Sequence, residues 1–382
     1  MPRIHFSVCG LGLGHASRCR PLIFEALRRG YDVSVSTYGD AVDFFERLGL
    51  EVLRVPGLDY GRDFNGVVSI KATLLKNIDL PLKVAAQTLI EARTIQEFEA
   101  DAVLSDTRAS AVLASRLTGV PCTLLLNQYS VILQKDRLPS LANFFEDFVN
   151  SFTFAWSLSD NLLIADYPPP LTISRDNLKM RRKDRKRAEY VGPILERLPQ
   201  NYPVREKLKE SMGFDPSLPL VAIMPTGPRP DRMRFRDIMI RLLPELRDLQ
   251  VVMTGVQQGF ETEGGGRHRV FEWYEDEYEL LAASDVVVTR AGQTLTAKAL
   301  AFNCRLVITP ILRQTEQESN AKSLSDNGVA IVLNERQISR DALSSAIKAA
   351  LDEIDAAGLK KYSKFAEEVH AIDRIFQTLL KG

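Results

Sequence analysis

The first residue positioned to do chemistry is a histidine set behind alternating glycines. In VCGLGLGHASR (residues 8–18), Gly10, Gly12 and Gly14 lead directly into His15. Imidazole titrates near neutrality, so His15 can take up or release a proton at physiological pH. Glycine lets a ligand approach the main chain, and the free N–H groups at a helix start suit an anion. The spacing is neither G-x-G-x-x-G nor a P-loop, so a tight turn alone is the alternative. Asp106, in LSDTR, is a second candidate, as a base or as the group that orients His15; its alternative is capping the helix that follows. A third stretch, SDVVVTRAGQTLTAKALAFNCRLVITPILRQTEQESNAKSLSDNGVA (284–330), makes a tight turn at Arg290-Ala291-Gly292. There the main chain, with Gln293 and Thr294, suits a diphosphate, and Gln314, Glu316 and Gln317 suit sugar hydroxyls. The plain alternative is an ordinary strand–helix unit.

These residues need strand ends and helix starts to hold them. Short apolar runs at 4–9, 32–36, 102–105, 122–126 and 161–165 alternate with helical spacing, and a further short run lies at 189–191. A break follows near Gly192-Pro193, and a second alternating series begins at 220–224. It continues through 250–253, 268–271, 286–289, 306–309 and 330–333, ending in helical residues from about 340 to 380. Such order predicts parallel sheets covered by helices. The expected fold class is therefore α/β, with two Rossmann-like doubly wound domains facing across a cleft. The expected divisions are 1–191, 192–360 and a C-terminal helical segment, 361–382, packing back on the first domain. Ligands of such sheets bind beyond the carboxyl ends of the strands.

Composition narrows the classes. The chain has 382 residues, 45% hydrophobic and 26% charged, and its 49 basic residues match 49 acidic ones. No overall field argues for nucleic acid. The cysteines, Cys9, Cys19, Cys122 and Cys304, are scattered, which argues against a zinc site and suits a reducing compartment. With neither a leader pattern nor an apolar run of membrane-spanning length, the expected location is the cytoplasm. The basic run KMRRKDRKR (179–187) reads as a solvated loop or as a patch for anionic lipid headgroups. The apolar stretch 67–92 reads as core or as an acceptor- or membrane-facing surface.

In order and spacing, nearly the whole chain resembles the GT-B glycosyltransferases, especially their MurG-like branch (glycosyltransferase family 28 and its UDP-glycosyltransferase-like relatives). The residues that carry the resemblance are Asp285, Arg290-Ala291-Gly292, Leu300, Pro310, Gln317 and Asn320-Ala321, with LPLVAIMPTGP (218–228) and the opening glycine loop. The resemblance implies an inverting transfer from a UDP-sugar, with N-acetylglucosamine as the family-weighted choice, to an unidentified, lipid-linked acceptor. It implies no bound metal or other cofactor, and peripheral attachment at the inner face of the membrane. It assigns His15 as the base with Asp106 as second candidate, the alternatives for His15 being helix capping or a contact to the donor phosphate. Donor contacts fall to Gly12, Gly14, Gly227, Val270, Phe271, Arg290, Ala291, Gly292, Gln293, Thr294, Lys298, Glu316 and Gln317. One position departs from the pattern: Lys298 stands where the family has a glutamate for the ribose hydroxyls. Lysine cannot accept a hydrogen bond, so Lys298 is expected to pair with a phosphate or an acidic sugar, or to be a solvated helix residue. Two rival readings are a non-hydrolysing UDP-N-acetylglucosamine 2-epimerase and a catalytically silent nucleotide-sugar-binding protein.

Overall fold

A computed structural model describes residues 1–57, 79–130, 132, 143, 146, 150, 153–256 and 266–381. The first part of the 67–92 stretch, to residue 78, lies outside the described residues. The chain divides into two compact units. Unit 1 comprises Met1–Pro169, Ser174–Glu196 and Val369–Gly382; unit 2 comprises Pro170–Ile173 and Arg197–Glu368.

Unit 1 is built on seven parallel strands: β1 (Arg3–Val8), β2 (Asp32–Thr37), β3 (Leu53–Arg54), β4 (Ala102–Asp106), β5 (Cys122–Leu126), β6 (Asn161–Ile164) and β7 (Ala188–Tyr190). Their order is β3-β2-β1-β4-β5-β6-β7. Helices α1 (Leu13–Arg28), α2 (Asp40–Arg47), α3 (Leu80–Glu97) and α4 (Ala109–Thr118) connect them, followed by α5 (Thr153–Trp156) and α6 (Arg182–Arg187). The central strands read as apolar runs because both their faces are covered; all five residues of β4 and of β5 are buried. Successive side chains alternate between faces. Ile4, Phe6 and Val8 join Cys19, Leu22 and Ile23 of α1 in one core, while His5 and Ser7 face α3. The last helix of the chain, introduced below as α14, completes that first core.

Unit 2 has six parallel strands: β8 (Leu220–Met224), β9 (Gln250–Thr254), β10 (His268–Phe271), β11 (Val286–Thr289), β12 (Arg305–Ile308) and β13 (Ala330–Val332), in the order β10-β9-β8-β11-β12-β13. Its helices are α7 (Arg205–Ser211), α8 (Arg229–Leu242), α9 (Glu277–Ala283), α10 (Gln293–Ala301), α11 (Thr315–Asp326), α12 (Arg340–Glu353) and α13 (Ala356–Val369). The chain then returns to unit 1 with α14 (Ala371–Leu379), whose Ala371, Ile375, Phe376 and Leu379 enter the core beneath α1.

Both sheets reverse direction of growth at one place, between β1 and β4 in unit 1 and between β8 and β11 in unit 2. Crevices beyond the carboxyl ends of strands at such switch points are where open α/β sheets take ligands. The loops there carry His15 and Asp106 in unit 1, and Gly227 and Arg290–Thr294 in unit 2.

Candidate active site

In unit 1 the turn after β1 is shaped by its glycines for two different reasons. A Cβ on Gly10 would lie 1.8 Å from the Tyr38 carbonyl oxygen, so the close approach of the β2–α2 turn requires glycine. Gly12, the residue capping α1, has φ +78°, a left-handed conformation. Gly14 follows in the first turn. These constraints start α1 where His15 falls one residue later, partly exposed, and Arg18 and Cys19 a turn beyond, both buried.

Asp106, at the end of β4, gathers these side chains. His15 Nδ1 donates to Asp106 Oδ1 at 2.7 Å. Arg18 grips both carboxylate oxygens, its Nε donating to Oδ2 at 2.6 Å and its Nη2 to Oδ1. Thr107 Oγ1 and Cys19 Sγ add 3.0 Å bonds to Oδ1 and Oδ2. Helix α4 begins only at Ala109, and Asp106 does not cap it. Thr107, next to Asp106, is instead a left-handed residue, φ +61°, which for a β-branched side chain costs about 1–3 kcal/mol. That conformation brings the Thr107 hydroxyl to Asp106 and Arg18. The capping alternative for Asp106 is thereby overturned.

The charges follow from this packing. Burial alone would raise Asp106, but Arg18 and His15 hold it far below the usual carboxylate range. For His15, burial opposes the charge; the Cys9 sulfur and Asp106 outweigh it, against Arg18, and raise the imidazole to about 10. Cys9 is buried, which resists ionisation, yet His15 draws its thiol below the ordinary value. With Nδ1–H committed to Asp106, Nε2 is the nitrogen left to exchange a proton. Arg18, Thr107, Cys9 and Cys19 were not singled out from sequence. For Arg18 and Cys19 the only signal is their position three and four residues beyond His15, on the same helix face.

Unit 2 ties three strand-end loops together. Thr226 and Thr289 hydroxyls meet at 3.1 Å, linking the loop after β8 to the end of β11. Gly227 has φ +101°, and its Cβ position is 3.2 Å from Ile311 Cδ1. Ile311 N–H donates to Gln317 Oε1 at 3.0 Å, and Asn320 Nδ2 donates to the Ala291 carbonyl at 3.0 Å. Gly292 caps α10 with φ −73° and ψ 132°, an ordinary extended conformation, and open space surrounds its Cβ position. Neither backbone geometry nor packing requires a glycine there. Gln293 is buried and Thr294 half-buried in the first turn of the same helix, and Glu316 is half-buried in the first turn of α11. The Gln314 Oε1 atom is buried and has no hydrogen-bond partner among the described residues. Val270 and Phe271 end the edge strand β10, where the Phe271 carbonyl accepts from Val256 and its ring meets Tyr274 edge-on at 5.0 Å.

Three expected donor contacts fall elsewhere. The Arg290 guanidinium is fully buried, bonded to Glu335 and to the Thr309 and Asp231 carbonyls, and lies 4.6 Å from the Phe235 ring centroid. It braces the interior because that carboxylate and ring surround it, leaving only its main chain at the loop. Lys298 is neither solvated nor open to a phosphate: it is 2% exposed, paired with Glu277 and set over the Tyr278 ring. Burial would lower it, but Glu277 and Tyr278 hold it charged and raise it above the usual lysine value. Gln317 is buried, with its carbonyl oxygen spent on the Ile311 amide. Among the described residues no group of three or more His, Cys, Asp or Glu could hold a metal ion, and no helix is long and apolar enough to cross a membrane.

Comparison with known proteins matches residues 2–149 to the family Glycosyl transferase family 1, and residues 251–375 to the Glycosyltransferase family 28 C-terminal domain. A protein of Methanosarcina acetivorans named "Uncharacterized glycosyltransferase" is 27% identical over 341 residues, covering 87% of this chain and 86% of its own. The UDP-N-acetylglucosamine–N-acetylmuramyl-(pentapeptide) pyrophosphoryl-undecaprenol N-acetylglucosamine transferase of Geobacillus thermodenitrificans is 26% identical, covering 80% and 78%. Among solved structures, Acinetobacter baumannii MurG shares the fold over 100% of both chains with a TM-score of 0.61 and 16% identity. The glycosyltransferase VinC in complex with dTDP does so over 99% and 98%, with a TM-score of 0.63 and 15% identity. Residues 2–149 and 251–375 each match a glycosyltransferase family, and the relatives run through both units: the protein is a glycosyltransferase of GT-B fold, similar to the MurG-like branch.

Proposed function

We propose that the protein transfers a sugar, N-acetylglucosamine in the leading case, from UDP to the hydroxyl of a lipid-linked acceptor, with inversion at the anomeric carbon. The observation that carries this reading is the bond from His15 to Asp106, whose carboxylate Arg18 already neutralises. Neutral His15 takes the acceptor proton at Nε2 while the acceptor oxygen attacks the anomeric carbon. The bond from that carbon to the diphosphate oxygen breaks, and UDP leaves with the electron pair. Asp106 then faces the imidazolium it favours.

Unit 2 holds the donor. Gly227 and the 291–294 turn meet the diphosphate, with the amides at the start of α10 offsetting its charge in place of a metal. Gln314 Oε1, buried without a partner among the described residues, suits a sugar hydroxyl. The base lies by Val270 and Phe271. UDP and N-acetylglucosamine come from the printed name of the Geobacillus relative, while the VinC title names dTDP. For the acceptor, Lys179, Arg181, Arg182, Lys183, Arg185 and Lys186 are exposed on and before α6, suiting a surface of anionic lipid.

Thermal titration with UDP, dTDP, GDP and ADP, followed by incubation with UDP-N-acetylglucosamine with and without undecaprenyl-linked acceptors, tests this reading. UDP at a hundredfold its dissociation constant raises the melting temperature by roughly 5–10 °C. A shift with dTDP alone replaces the donor, and no shift with any nucleotide overturns the donor site. Consumption of the UDP-sugar without an acceptor overturns transfer in favour of donor-only chemistry.

A further inference from the structure

The orientation of one peptide plane in unit 2 depends on a buried amide. Asn320, on α11, is fully buried, and its Nδ2 donates to the Ala291 carbonyl at 3.0 Å. Only the nitrogen end of the amide can meet a carbonyl, so the flip of the Asn320 side chain is fixed. In a planar trans peptide the C=O of one residue and the N–H of the next point in opposite directions. Drawing the Ala291 oxygen inward therefore turns the Gly292 N–H outward.

Three further observations bear on this peptide. The Gly292 carbonyl, in the next peptide along the chain, accepts from the Thr296 amide and hydroxyl, the latter at 2.8 Å, which anchors Gly292 on its C-terminal side. Among the described residues no hydrogen-bond partner takes up the Gly292 N–H, although Gly292 is half-buried. Open space lies on the side where Gly292 lacks a Cβ. An uncommitted donor beside open space, at the start of a nine-residue helix, suits an anionic oxygen.

We infer that Asn320 is the positioning residue for the donor diphosphate: it sets the sign of the Ala291–Gly292 peptide, so that this position offers a hydrogen-bond donor rather than a carbonyl. The inference rests on the reading of unit 2 as the nucleoside-diphosphate site. An aspartate at 320 cannot donate when ionised and repels the Ala291 oxygen, which favours the flipped plane. A proline at 292 removes the same N–H directly, and its ring needs φ near −65°, close to the observed −73°.

Isothermal titration of the full-length protein with UDP and with uridine tests this. Asn320→Asp and Gly292→Pro each weaken UDP roughly ten- to a hundredfold, the range for losing a hydrogen bond to a charged group. Uridine, which lacks phosphate, binds both variants as it binds the parent. The double variant is no weaker for UDP than the weaker single one, because both changes remove one interaction. Equal losses for UDP and uridine, or full additivity in the double variant, overturn the positioning role. If Asn320→Asp does not fold, Gly292→Pro decides alone: undiminished UDP binding overturns the inference. Failure of the parent protein to bind any nucleoside diphosphate overturns the donor reading itself, a result separate from all of these.

Discussion

Unit 1 contains two clusters of nearly the same composition, and only one of them sits where a ligand can reach it. His15, Asp106 and Arg18 meet beyond the carboxyl ends of β1 and β4. His5, Glu91 and Arg108 meet halfway along β1, beneath α3, with Ser7 and Ser36 completing the bonds to Glu91. Each joins an imidazole to a carboxylate, at 2.7 Å in the first and 2.6 Å in the second, and each carboxylate has an arginine partner. Glu91 is lowered to about 2: burial opposes this, and Arg108 and His5 prevail. The difference is access. The His15 side chain is 19% exposed, whereas the His5 and Glu91 side chains are sealed at 0%. Residue types alone do not mark an active centre; the strand end does, because there the main chain turns away and leaves room for a substrate.

The sharpest way to break this comparison is kinetic. His15→Ala lowers kcat by about 10²–10⁴-fold in protein that remains folded. A comparable loss of rate in folded Glu91→Ala, measured with the same donor and acceptor, makes the two clusters functionally alike. Next comes stability. Glu91→Ala leaves Arg108 and His5 buried without their carboxylate and destabilises unit 1 by about 3–5 kcal/mol, read as the loss of unfolding free energy in urea. An unaltered urea midpoint removes the structural assignment of that cluster.

A third test is in pH. His15 is raised from its unfolded value of about 6.5 to about 10 in the fold. Its contribution to stability is therefore complete below the unfolded value and is lost as pH rises through the folded one. The melting temperature falls across that alkaline window, and His15→Gln flattens the fall. A parallel curve for the variant shows that another group is responsible. The same shift means that kcat/KM rises with pH, since only neutral His15 accepts a proton.

Much of this architecture is legible in the chain itself. Strands such as Leu220–Met224 and Cys122–Leu126 are covered on both faces, so they stand out as apolar runs between helical spacings. The turn that carries His15 is legible because glycine is demanded there by a backbone contact and a left-handed φ. Partners across long separations are not legible. Arg18 finds Asp106 through the sheet, 88 residues away, and Lys298 finds Glu277, 21 residues earlier, so its charge reads as solvated until the fold is known. The basic run is similarly divided. Asp184 is buried and accepts from Tyr129 at 2.7 Å, and Arg187 turns inward to the Ser159 carbonyl, so the run is partly a short anchored helix rather than a loop. At Thr107 the helical spacing misleads, because Asp106 and Arg18 engage a residue that helix geometry would have turned elsewhere.

The return of α14 to unit 1 has a consequence for synthesis. Ala371, Ile375, Phe376 and Leu379 fill the core under α1, so the first unit to leave the ribosome is also the last to be closed. The whole of Arg197–Glu368 is translated in between, a delay of roughly 10–30 s at 5–20 residues per second. During that interval the apolar floor beneath α1 lacks the helix that completes it.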